Sequence, residues 1–72
     1  MKTERLLPPP IRERIAGFPE YRMGVHKVAV RLRDGRIMED VIVAWEKEIV
    51  SVGGSTDLPF SGDDVLEVYD RS

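Results

Sequence analysis

Seventy-two residues make one small domain, and a core of that size sits near the limit of what apolar burial alone stabilises. The chain has no cysteine and one histidine, which rules out disulfides and thiolate metal sites and leaves a structural zinc site without its usual ligands. A net charge of -2 provides no overall basic field to draw in nucleic acid, and no apolar run reaches membrane-spanning length. Self-association is the remaining device by which so small a core gains stability.

Residues 1–9 are expected to be a flexible or loosely docked tail, and they do not read as a signal peptide. A cytoplasmic protein is the expectation. Pro8-Pro9-Pro10 is stiff and extended, and Pro10 suits the first position of a helix, where its missing N–H costs nothing. A short helix follows over 10–17. Ile11 and Ile15 share one face of it, and Gly17 is suited to its end. Tyr21 to Gly24 is read as a connector.

Val28, Val30 and Leu32 alternate with polar residues up to Asp34-Gly35, which predicts a half-buried strand ending in a tight hairpin turn. The second strand runs from Arg36 to about Trp45 or Glu46. Its Val41-Ile-Val-Ala-Trp45 run is apolar on both faces, so both faces need cover. Glu48 to Val52 forms a third strand. Asp57 to Phe60 is expected to be a short edge strand, the one kind of strand that tolerates Pro59. After a turn at Ser61 to Asp64, Val65 to Tyr69 forms the last strand.

The order of one helix and five short strands resembles the Sm and Sm-like family, and the spacing follows its two motifs over about residues 25–70. The alternating set is Val28, Val30 and Leu32, with the turn at Asp34-Gly35. The family's mid-strand glycine falls on Asp40, its apolar position on Ile42 and its aromatic on Trp45. Its aspartate falls on Glu46, its later apolar position on Ile49 and its asparagine on Val50. The second motif aligns with Phe60-Ser61-Gly62-Asp63-Asp64-Val65, placing Ser61 at the family's arginine. The resemblance implies a small, strongly bent Sm-like or SH3-like barrel of five strands, mainly β, with a short N-terminal helix, over residues 10–72. In the family, the asparagine and arginine help hold an RNA base. Val50 offers no donor or acceptor and Ser61 has no plane to stack, so binding of that kind is disfavoured.

Lys27, Arg31 and Arg33 share one strand face and Arg36 lies just past the turn. Two readings of this cluster stand side by side. One is a surface for phosphate or an acidic partner. The other is the solvated face of a hairpin, paired across strands with Glu39 or Asp40. Trp45, the one tryptophan, suits an interface or a core equally. His26 opens a strand with no nucleophile in an elbow context, and an ordinary structural role is expected. Asp57, Asp63 and Asp64 lack calcium-loop spacing, and Gly53-Gly54-Ser55 lacks the lysine of a phosphate loop.

The sequence thus points to a protein-interaction or structural module that self-associates or meets a protein partner, with no catalysis, cofactor, metal or membrane. Trp45, Glu46, Lys27, Arg31, Arg33 and Arg36 are its candidate binding residues. An RNA-binding Sm-like protein using the basic face is the alternative. A small regulatory subunit of a larger complex is another.

Overall fold

One α-helix and four strands succeed one another among the described residues: α1 (Pro9–Ala16), β1 (Val25–Leu32), β2 (Ile37–Ala44), β3 (Glu48–Val52) and β4 (Val65–Asp70). A 3₁₀ turn at Gly62–Asp64 leads into β4. The computed structural model describes residues 4–71; residues 1–3 of the expected tail, and Ser72, lie outside the described residues. The strands form one open antiparallel sheet in the order β3-β2-β1-β4.

Pro8 is extended and caps α1, its carbonyl accepting from the N–H groups of Ile11 and Arg12. Pro9 and Pro10 fill the first helical positions, whose N–H groups would have no intrahelical acceptor. Ile11 and Ile15, one turn apart, are buried. The helix packs against β4.

The β1–β2 hairpin forms as expected, with a different turn. Only Gly35 takes a positive φ (92°), and Asp34 does not. The Gly35 N–H donates to the Leu32 carbonyl and the Leu32 N–H to the Arg36 carbonyl, both at 2.9 Å. This is a three-residue loop closed by a left-handed glycine. The two-residue turn with positive φ at both positions lies elsewhere, at Trp45 (53°) and Glu46 (70°) between β2 and β3. β2 therefore ends at Ala44, one or two residues earlier than its pattern implies.

Asp40 also has a positive φ, 56°. Val28 pairs with Val41 and Val30 with Met38, so two residues of β2 face the one residue Ala29 of β1. That is a bulge, which bends the strand and increases its twist. The position that the Sm-like spacing gives to glycine thus takes a glycine-like conformation with an aspartate.

Among the described residues the expected five-stranded barrel is not present: four strands form one open sheet. Asp57 to Phe60 forms no strand, and β3 and β4 remain the two unjoined edges of the sheet. The reason is competition for the edge of β3. Residues 4–7, from the expected loose tail, occupy it. The Leu7 N–H donates to the Lys47 carbonyl at 2.8 Å and the Ile49 N–H to the Arg5 carbonyl at 2.9 Å. The Arg5 guanidinium donates to the carbonyls of Ile49 and Thr56. With that edge taken and a donor missing at Pro59, the segment is held by its side chains instead. Phe60 is buried and Leu58 packs on the core.

The core lies on one face of the sheet. Val28, Val30, Val41, Val43 and Ile49 are fully buried there, and Leu7 and Ile15 cover them from the N-terminal segment. His26 is buried on β1 at 4% exposure, with its Nδ1 unpartnered.

Candidate interaction surface

The opposite face of the sheet is polar. Lys27 and Arg31 stand on it, two places either side of Ala29, and β1 pairs them with Ile42 and Ile37 of β2. Lys27 Nζ lies 3.9 Å from Asp40 Oδ1 and 5.5 Å from the centre of the Tyr21 ring. Arg31 forms an ion pair and hydrogen bond with its cross-strand neighbour Glu67. The other oxygen of Glu67 accepts from the Tyr69 hydroxyl at 3.0 Å. That bond, with a smaller contribution from desolvation, raises the Tyr69 pKa. Beside them Arg71 Nε meets Glu39 Oε1 at 3.2 Å.

Arg33 and Arg36 lie apart from this face, at the β1–β2 turn. The Arg33 guanidinium donates twice to the Asp63 carbonyl and sits 3.7 Å from the Asp64 carboxylate, fastening the 3₁₀ turn to the hairpin. Arg36 Nε donates to Asp34 at 2.7 Å. Asp34 also accepts from the Arg36 backbone N–H at 3.0 Å. That backbone bond is the largest cause of a lowered Asp34 pKa; desolvation opposes it, and the guanidinium lowers the pKa further. Leu32, Arg33, Asp34, Arg36 and Asp64 line a half-open cleft of about 180 Å³.

The four cations of the predicted basic cluster therefore each have a carboxylate partner: Asp40, Glu67, Asp64 and Asp34. The bases are split between a sheet face and a turn, and the acids cancel much of their field. Exposed pairs like these contribute little stability each, but together they leave a locally neutral surface.

Trp45 and Glu46 lie at the far end of β2. The eight residues of β2 lie between them and Arg36. Glu46 is half-buried, while Trp45 is 67% exposed. The Trp45 N–H donates to the Gly24 carbonyl at 2.7 Å, and its ring lies on Gly24, so close that a Cβ there would be 2.7 Å from two ring atoms. Gly24 has φ 73°, and its N–H is held by the Glu20 carboxylate at 2.6 Å. Met23, next to it, is 91% exposed and Tyr21 45% exposed. The loop before β1 and the β2–β3 turn thus meet at Gly24 and Trp45, at an end of the sheet where Trp45, Met23 and Tyr21 are exposed.

Met23, Gly24 and Tyr21 were not singled out by the sequence, because no periodicity or motif marks a connector. A glycine directly before a strand was the one available signal.

Among the described residues, no three His, Cys, Asp or Glu side chains converge as a metal site, and no helix is long and apolar enough to cross a membrane. Neither the protein-family models, nor curated proteins, nor solved structures gave a match to this chain. The class defined by the geometry is a small, mainly β domain with one open four-stranded sheet and a short helix.

Proposed function

We propose that this chain is a small, non-catalytic interaction module that self-associates through the end of its sheet that exposes Trp45. The observation that carries the reading is the presentation of Trp45. Its indole is fixed on Gly24 while two-thirds of the residue remains exposed, beside an almost bare Met23. Leaving apolar surface in water forgoes about 25 cal/mol for each Å² that could be buried. Two non-glycine residues in the left-handed region add a further cost of roughly 1–2 kcal/mol each. Unfavourable conformations held in place by their surroundings are a mark of sites that serve a purpose beyond the fold. Tryptophan is also the residue most enriched where binding energy concentrates.

The RNA-binding alternative has less support. Lys27, Arg31, Arg33 and Arg36 are each matched by a carboxylate, so this cluster offers no uncompensated cation to neutralise phosphates. The left-handed Asp40, at the Sm-like family's glycine position, supports the likeness to that family in this one respect.

Light scattering coupled to size exclusion, over a wide range of protein concentration, tests the proposal. The expected result is a species of twice the 8.2 kDa chain mass or more, which Trp45→Ala shifts towards monomer by at least tenfold in concentration. A wild-type chain that stays monomeric at millimolar concentration overturns it.

A further inference from the structure

Residues 4–16 form one continuous arm that spans the open sheet. Its first part pairs with the edge of β3; its second part, α1, packs against β4. It places Leu7, Ile11 and Ile15 in the core, none more than 5% exposed. The arm is therefore the piece that covers the sheet's apolar face, and an identical piece is carried by every other copy.

The arm is joined to β1 by residues 17–24. These eight residues extend to about 26–29 Å, longer than the 18 Å and 23 Å short axes of the molecule. That length lets an arm reach the sheet of a neighbouring copy. The same linker carries Met23 and Tyr21, and it lies against Trp45. Exposed apolar side chains thus coincide with the hinge. When two copies exchange an element, the contacts inside each folded unit are reproduced, and the only new contact is made where the two hinges run together. Here that seam would bring together two sets of Tyr21, Met23 and Trp45.

We propose that the chain dimerises by exchanging residues 4–16, the arm of each copy lying on the β3 edge and core of the other. This rests on the self-association proposed above and specifies its route.

Leu6 and Glu48 supply the test. They face each other as an antiparallel bridge whose hydrogen bonds belong to their neighbours, Leu7 to Lys47 and Ile49 to Arg5. In such pairs the Cα atoms are about 4.5 Å apart, within the range a disulfide spans. The chain has no cysteine of its own. Oxidising the double variant L6C/E48C at high dilution ties each arm to its own sheet. The expected result is a wild-type dimer and an oxidised variant that stays monomeric at the same concentration, with reduction restoring the dimer. A second measurement does not depend on the locked chain folding well. L6C and E48C single variants, refolded together at high concentration and then oxidised, should yield the mixed disulfide. A wild-type dimer with an equally dimeric locked variant, or with no mixed disulfide, overturns arm exchange and leaves self-association standing. A wild-type monomer throughout overturns both.

Discussion

The Trp45 ring and the missing side chain of Gly24 are two halves of one contact. A Cβ at 24 would approach ring atoms to 2.7 Å, and the backbones are joined by the Trp45 N–H to Gly24 carbonyl bond. Gly24→Ala is penalised twice, by its φ of 73° and by the ring it must displace. The backbone part alone costs about 1–2 kcal/mol. The variant should lose at least that much in urea unfolding. Its tryptophan emission, from the one tryptophan of the chain, should also shift as the indole leaves its seat. An unchanged spectrum would mean that the ring does not rest on Gly24 in solution.

Asp40 separates conformation from charge. Its φ of 56° favours glycine, while its exposed carboxylate faces the half-buried Lys27 at 3.9 Å. An exposed pair contributes at most about 1 kcal/mol. Asp40→Gly should therefore fall within about 1 kcal/mol of the wild type. Asp40→Val, which meets the left-handed region with a branched side chain, should cost 2 kcal/mol or about that. Equal losses in the two variants would show that the ion pair and not the bulge matters.

These positions also show where sequence reasoning reached and where it stopped. The β1–β2 hairpin was legible because Val28, Val30 and Leu32 repeat with the period of a strand, and burial on one face enforces that register. Asp34-Gly35 marked the turn but not its type, since only the glycine takes positive φ. The tight turn at Trp45-Glu46 carries no glycine or asparagine, and tertiary contact with Gly24 overrides local preference there. The docking of residues 4–7, the first part of the arm, was illegible for a related reason, whereas the helix that follows was legible from Ile11 and Ile15. Four residues contain no period, and the docking of Leu7 is decided by a vacant β3 edge far away in sequence. The same competition explains the missing fifth strand at 57–60. Of the carboxylates that pair with the four basic candidates, one, Asp40, was anticipated; Asp34 and Asp64 are set by the turns and Glu67 by the β1–β4 register.

His26 faces the core with Nδ1 buried and unpartnered. A buried polar atom without a partner costs about 1–3 kcal/mol. His26→Leu, of similar volume, should raise the urea midpoint by an amount equivalent to about 1 kcal/mol. A loss of stability would indicate that the imidazole has a partner in solution.

Asp34 offers a titration. Its carboxyl pKa is held below the ordinary value, first by the Arg36 backbone N–H and then by the guanidinium. Since the folded value is the lower one, the interaction stabilises the fold above the unfolded-state pKa and is lost as pH falls through the folded-state pKa. Carboxyl-detected NMR should place the Asp34 midpoint below that of an unfolded peptide. Arg36→Ala keeps the backbone donor, so it should return only part of the shift. A full return would assign the effect to the guanidinium instead.

Gly62 decides how firmly the arm is held. Its N–H donates to the Glu4 carbonyl at 2.7 Å, and a methyl group at its Cα would overlap the Leu6 carbonyl oxygen and lie 3.2 Å from that of Glu4. Both obstacles are backbone, so neither side chain nor rotamer can relieve them. Overpacking of this kind costs typically about 1–3 kcal/mol. In Gly62→Ala the clash is relieved if residues 4–7 lift from β3, which breaks their hydrogen bonds there and unseats the buried Leu7. Amide exchange should then accelerate at Leu7 and Ile49, whose bonds cross between arm and β3, and stay slow at Leu32, whose bond closes the β1–β2 hairpin. Uniform acceleration would mean that the arm and the sheet open as one unit. Selective acceleration would show that the arm detaches while the sheet persists, which is the motion an exchange between copies requires.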